Sequence, residues 1–249
     1  MAFTRLALAV VPASVIVVTG SHLHANPGIE GVSYPDSAND IASGIATAGG
    51  TLDILGMEVS HTATDVIFTM TVNGLVSGSG STDWGKFMVG IATGNGPSTT
   101  SGNGWGRPIN MDAPNGGMNI WLGSWVDGGG GAEFRTFDEK WNLSGATYGG
   151  NFPGSYSFSG NTITWTLSMA AMGVGMGDTF YFDAYSSGGG DGDGAIDALA
   201  NPNVSVQNWG DSYTSNVTNG IFSYTIPAPG ALALLGLAGV AAGRRARKA

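Results

Sequence analysis

Asp183, Asp191, Asp193 and Asp197 fall on one short stretch whose intervening residues include Gly188, Gly189, Gly190, Gly192 and Gly194. Hard carboxylate oxygens on a backbone free to bend around an ion are calcium chemistry, so calcium is the expected cofactor and these four residues its expected ligands. The spacing is not that of an EF-hand, because no Glu closes the loop. The alternative is an acidic turn that is merely solvated.

Tryptophans supply the second candidate chemistry. Trp105, Trp121, Trp125, Trp141 and Trp209 stand in or beside Gly/Asn/Ser segments, with Asn103 and Asn119 close by. Indole faces cover the apolar C–H patches of sugar rings while amides read hydroxyls, so these residues form the expected ligand-binding set. The competing expectation is that the rings pack as satellite core clusters. Trp165 differs from the rest, since it alternates with Thr162, Thr164 and Thr166 on a strand and belongs to the core.

No catalytic residues are expected. His61 is the only histidine outside the N-terminal stretch that holds His22 and His24, and one imidazole cannot build a multi-histidine metal site. It reads as a surface residue at a strand end, and a haem ligand role has little to stand on. No Gly-x-Ser-x-Gly elbow with a following helix accompanies it. Glu133, Asp138 and Glu139 beside Trp141 offer the two carboxylates of a glycan hydrolase, which is the least favoured reading.

The elements that must position these residues are strands. With 249 residues, 43 Gly, 42% hydrophobic residues and 11% charged ones, the chain has enough apolar mass for one large all-β domain. The Gly excess has no three-residue period, which excludes collagen. The absence of Cys excludes a disulfide framework. A net charge of -9 and a pI near 4.5 exclude a nucleic-acid binder.

Alternation at 65–73, 161–168 and from Thr179 predicts half-buried antiparallel strands. Less regular strands are expected at 52–60, 86–92, 118–126, 132–138 and 221–225. Asn73-Gly74 and Ser159-Gly160-Asn161 carry hairpin-turn chemistry. Short helices are expected only near 169–172 and 195–200. The fold class is therefore an antiparallel β-sandwich, jelly-roll-like, with long Gly-rich loops.

Both ends read as processing signals. Residues 1–25 run from Arg5 through the apolar stretch Leu6 to Val18 to small residues ending at Ala25, which is signal-peptide order. Residues 226–249 place Pro227 and Pro229 before the apolar run 231–242, followed by Arg244, Arg245, Arg247 and Lys248. That run is too short for a comfortable membrane span, and its basic end holds it on the cytoplasmic side. The sandwich domain is then 26–225. Once the ends leave, only Lys86, Arg107, Arg135 and Lys140 remain against 18 acids, a net charge of about -14.

The C-terminal arrangement resembles the PEP-CTERM sorting signal of bacterial exosortase substrates, with Ala228 where that family commonly has Glu. The resemblance implies export, a transient inner-membrane anchor through the C-terminal hydrophobic helix, and an exosortase-type membrane protease and export machinery as partners. It also implies a final place in the cell envelope, at the cell surface or in the extracellular matrix.

A second resemblance spans roughly 40–224. Asp53-Ile54, the Trp-rich middle, Phe180-Tyr181-Phe182-Asp183, Ser186-Ser187-Gly188, the run Ala195 to Leu199, and Trp209 resemble the DOMON-like sandwich group. That group includes the family-nine carbohydrate-binding modules. It implies a jelly-roll-like sandwich, often with structural calcium, that binds sugars at its surface.

Together these expectations describe an exported, non-enzymatic protein that binds extracellular polysaccharide. The alternative is a structural or adhesive envelope protein without a dedicated ligand. Asn142, Asn203 and Asn216 sit in Asn-x-Ser/Thr sequences.

Overall fold

The computed structural model describes residues 31–42, 45, 50–77, 84–204, 206 and 208–228. The expected signal peptide, and the tail from Pro229 through Arg244 and Arg245, lie outside the described residues. Among the described residues no helix is long and apolar enough to cross a membrane.

The chain forms a β-sandwich-like all-β fold. One sheet has the order β1 (Val32–Pro35), β2 (Ile54–His61), β3 (Asp65–Val72), β11 (Thr162–Ser168), β10 (Gly154–Ser159), antiparallel throughout. The second runs β13 (Asp197–Ala198), β12 (Thr179–Ser187), β4 (Lys86–Ala92), β7 (Ile120–Trp125), β8 (Gly131–Asp138), β9 (Lys140–Ala146), with β15 (Phe222–Thr225) also on β12. A small third sheet joins β14 (Tyr213–Asn216), β5 (Ile109–Ala113) and β6 (Gly116–Gly117), and its β14–β5 pair is parallel.

The alternation seen in the sequence decides which faces meet. Val66, Phe68, Met70 and Val72 of β3 are buried with Ile163, Trp165 and Leu167 of β11, while their neighbours are half-exposed. Phe68 meets Phe180 and Phe182 of the second sheet, each at 5.9 Å between ring centroids. Apolar burial at this interface is the main stabilising term.

β4 breaks the pattern, because Phe87 to Ala92 are buried on both faces. Its outer face is roofed by Met111 and Met118, which approach the bare backbone of Gly90. Tyr213 of β14 packs edge-on against Tyr185 of β12 at 6.2 Å. The small third sheet thus covers one half of the outer face of the second sheet, and the other half stays open as a groove.

Several expectations need correction. Residues 195–200 form no helix; β13 pairs there with β12, because Ala195 to Leu199 are all buried in the core, where ladder bonds satisfy their backbone. The helix at Met169–Met172 is present. Ser159-Gly160-Asn161 does turn the β10–β11 hairpin, with Gly160 at φ 60°. Asn73-Gly74 makes no hairpin. Asn73 Nδ2 instead donates to Asp53 and the Gly74 amide to Gly50 O.

His61 is buried, not a surface residue. Its Nδ1 lies 2.7 Å from Tyr224 Oη, and burial lowers its pKa.

Candidate functional site: a tryptophan groove and an acidic corner

The groove is a surface feature of the second sheet. Lys86, Trp105, Arg107, Trp125, Glu133, Arg135, Gly189 and Asp191 enclose about 310 Å³. Sheet register explains the assembly: Trp125 stands between Lys86 and Gly131, and Gly123 stands between Met88 and Glu133. A Cβ at Gly123 would clash with the Trp105 ring, and one at Gly131 with the Trp125 ring. Each indole therefore lies on bare strand backbone, a pairing in which the aromatic ring covers what glycine leaves open.

Glu133 anchors this arrangement. It accepts hydrogen bonds from Trp105 Nε1 (2.7 Å), Arg135 Nε (2.8 Å) and Tyr148 Oη (2.7 Å). Burial alone raises its pKa, but the bonds from Arg135, Trp105 and Tyr148 outweigh that and hold it below the ordinary carboxylate range. A group held ionised in this way orients its neighbours and is poorly suited to donate a proton.

A second groove adjoins the first at Gly189. Leu52, Trp84, Gly188, Asp193 and Trp209 line it. Trp84 is 71% exposed and Trp209 is 38% exposed, the profile of rings available to a ligand.

The structure sorts the expected ligand-binding residues. Trp105 and Trp125 share the first groove, and Trp209 lies in the second. Trp121 is fully buried and stacks on Tyr185 at 6.1 Å, so it is core. Trp141 pairs edge-on with Phe137 at 5.5 Å and lines neither groove.

The two amides are buried and clamp loops. Buried Asn103 donates to Arg107 O and Ile109 O and accepts from the Trp105 amide. Buried Asn119 spans Thr93 and Asn95. Asn103 thereby shapes the loop that presents both Trp105 and Arg107.

The expected calcium loop is not one cluster either. Asp191 lines the first groove and Asp193 the second. Asp183 is fully buried on β12 and accepts from Ser215 Oγ (2.6 Å) and the amides of Ala184 and Ala200, and burial pushes its pKa up to about 7. Alternation along β12 and the turn that follows it sends these carboxylates to different faces.

Asp197 meets two residues that the sequence reading passed over. Asp36, just past β1, and Asp40 bring carboxylate oxygens within 4.8 Å of one another and of Asp197, the only such group of three among the described residues. Asp197 is fully buried and accepts from the amides of Ile54 (2.7 Å) and Ala198 (2.8 Å). Asp36 Oδ2 and both oxygens of Asp40 are buried with no hydrogen-bond partner. Burial, and then the mutual repulsion of the carboxylates, push Asp36 up to about 7 and Asp197 up to about 8, and Asp40 is raised for the same first reason.

Such a donor set fits a hard divalent cation. The signal in the sequence was faint: Asp36, Asp40 and Asp53 occur at no motif spacing, and Asp53 serves the corner from behind, accepting from the Asn39 amide.

Comparison with known proteins found no matching family model, no matching curated protein and no matching solved structure.

Proposed function

We propose that this chain is an exported envelope or matrix protein whose sandwich binds polysaccharide in the Trp105–Trp125 groove, with calcium held by Asp36, Asp40 and Asp197 as a structural ion. The observation that carries the binding reading is a pair of indoles laid on Gly123 and Gly131 at the floor of an open groove. Stacking surfaces set among fixed polar groups are what a sugar chain needs. The second groove, with Trp84 and Trp209, gives a chain room to continue. The convergence of three carboxyls favours the ion, because a divalent cation offsets the mutual repulsion that pushes Asp36 and Asp197 upward.

The reading is non-catalytic. Of the three carboxyls open to a glycan hydrolase, Glu133 alone lines the groove, and its three donors keep it ionised. The jelly-roll and DOMON-like resemblance, the sorting by an exosortase-type system and the transient membrane anchor belong to this proposal on the sequence patterns given above.

The test is a fluorescence titration of the full chain, at fixed free calcium, with a panel of soluble polysaccharides. Saturable binding to at least one glycan is expected, lost at least tenfold in Trp125→Ala and unchanged in Trp141→Ala. Absence of saturable binding across the panel would favour the structural or adhesive reading.

A further inference from the structure

The groove concentrates the few basic residues in the body of the chain. Between residues 26 and 225 there are only Lys86, Arg107, Arg135 and Lys140, and the first three line this one groove. The groove thus sets three cations against the two carboxylates of Glu133 and Asp191 that also line it, in a chain whose net charge is -9.

The three cations are not equivalent. Lys86 Nζ is paired with Asp127 at 2.8 Å and Arg135 Nε with Glu133 at 2.8 Å. Arg107 has no carboxylate within ion-pair distance among the described residues, although it is only 5% exposed. Its Nη1 donates to Ser187 Oγ (2.7 Å) and to the backbone oxygen of Asp193 (2.9 Å), and its Cζ sits 5.5 Å from the Trp105 ring centroid. Its Nε and Nη2 make no hydrogen bond to the described residues. Neutral acceptors fix the plane of the guanidinium, and an indole covers it.

A buried guanidinium bonded only to neutral partners has its charge offset only at longer range, by Asp193 and Asp191. Its planar fork matches a carboxylate.

We infer that the groove recognises an acidic glycan, with a uronate carboxylate seated on Arg107 and flanked by Lys86 and Arg135, and the sugar ring on Trp125. The inference rests on the polysaccharide reading and narrows it to a substrate class. The overall negative charge slows the approach of any polyanion, so recognition depends on this one groove, and added salt weakens it. Desolvation lowers the pKa of Arg107, with Asp193 and Asp191 opposing that fall, as expected of a cation held out of water without a bonded counter-ion.

The test is isothermal titration of the full chain, at fixed free calcium, with soluble oligomers of several uronates. The same oligomers as methyl esters, neutral oligomers of equal length and a sulfated glycan complete the set. Esterification removes the charge and keeps the ring. At least one uronate oligomer is expected to bind tenfold or more tightly than its ester, and than the sulfated glycan.

Arg107→Gln should lose at least tenfold for the acid and little for the ester. Because Arg107 is buried and that variant could misfold, Lys86→Gln at the half-buried start of β4 provides the second reading, with a loss of severalfold for the acid only. Equal affinity for acid and ester would overturn the inference while leaving a neutral-sugar groove. Tighter binding of the sulfated glycan would overturn the assignment to a uronate. Binding of no glycan at all would sink the polysaccharide reading with it.

Discussion

The acidic corner and the groove are opposite in charge and alike in construction. In the corner, Asp36, Asp40 and Asp197 crowd three carboxylates together and leave three buried oxygens without partners. In the groove, Arg107 is buried on neutral acceptors while its neighbours Lys86 and Arg135 are matched. Other buried polar side chains such as Asp183, Asn103 and Asn119 are satisfied within the protein. In the proposed reading a cation completes the first region and an anion the second.

The contrast can be broken most strongly with pH. Asp183 and Asp197 are fully buried, with folded pKa values near 7 and 8 against an ordinary 3.8. The folded state therefore holds protons that the unfolded state has released. In chelator, stability should be greatest near the ordinary carboxylate value and be lost progressively as pH rises through about 4 to 8, by several kcal/mol.

Glu133 has the opposite sign. Its pKa is lowered, so its contribution is present above its unfolded value and is lost as pH falls through its folded one. Chemical denaturation at stepped pH reads both limbs. A flat profile between pH 5 and pH 8 would mean that the acidic corner is solvated and carries no strain.

Calcium should reverse the part of the first effect that comes from Asp197. At a concentration about one hundred times its Kd, an ion that binds only the folded chain adds about 2.7 kcal/mol, or roughly 5–10 °C for a domain of this size. Asp40→Asn should abolish that shift, and Lys86→Gln in the groove should leave it intact. If both variants respond alike, the two regions are not independent sites.

Gly123→Ala isolates the groove at smaller cost. The added methyl must displace the Trp105 ring, and overpacking of this kind costs about 1–3 kcal/mol. Glycan binding should fall while the calcium shift in the melt persists. Retention of full affinity would show that Trp105 is scaffolding and that Trp125 alone carries the stacking.

Much of the fold was legible because alternation is local. Val66 to Val72 and Ile163 to Leu167 declare their buried face within single strands, and the structure pairs those strands directly. β1, β5, β9, β10 and β14 carried no such signal, being edge strands, partners of the roofing layer or half-exposed ladders. The candidate site was legible only in its residue types. Trp105 and Trp125 were picked out beside Trp121 and Trp141, four rings with similar flanks, and only register separates those laid on glycine in the groove from those committed to packing.

The sequence by itself determined that strands would form, that their apolar faces would meet, and that an acidic, cysteine-free chain would have few cations to place. Tertiary structure alone decided where the charges collect. Asp197 meets Asp36 and Asp40 across a separation of more than 150 residues, and Lys86, Arg107 and Arg135 come from a strand, a loop and another strand. Side-chain periodicity acts over a few residues, whereas convergence of like charges is set by sheet order and by which half of a face the third sheet leaves open.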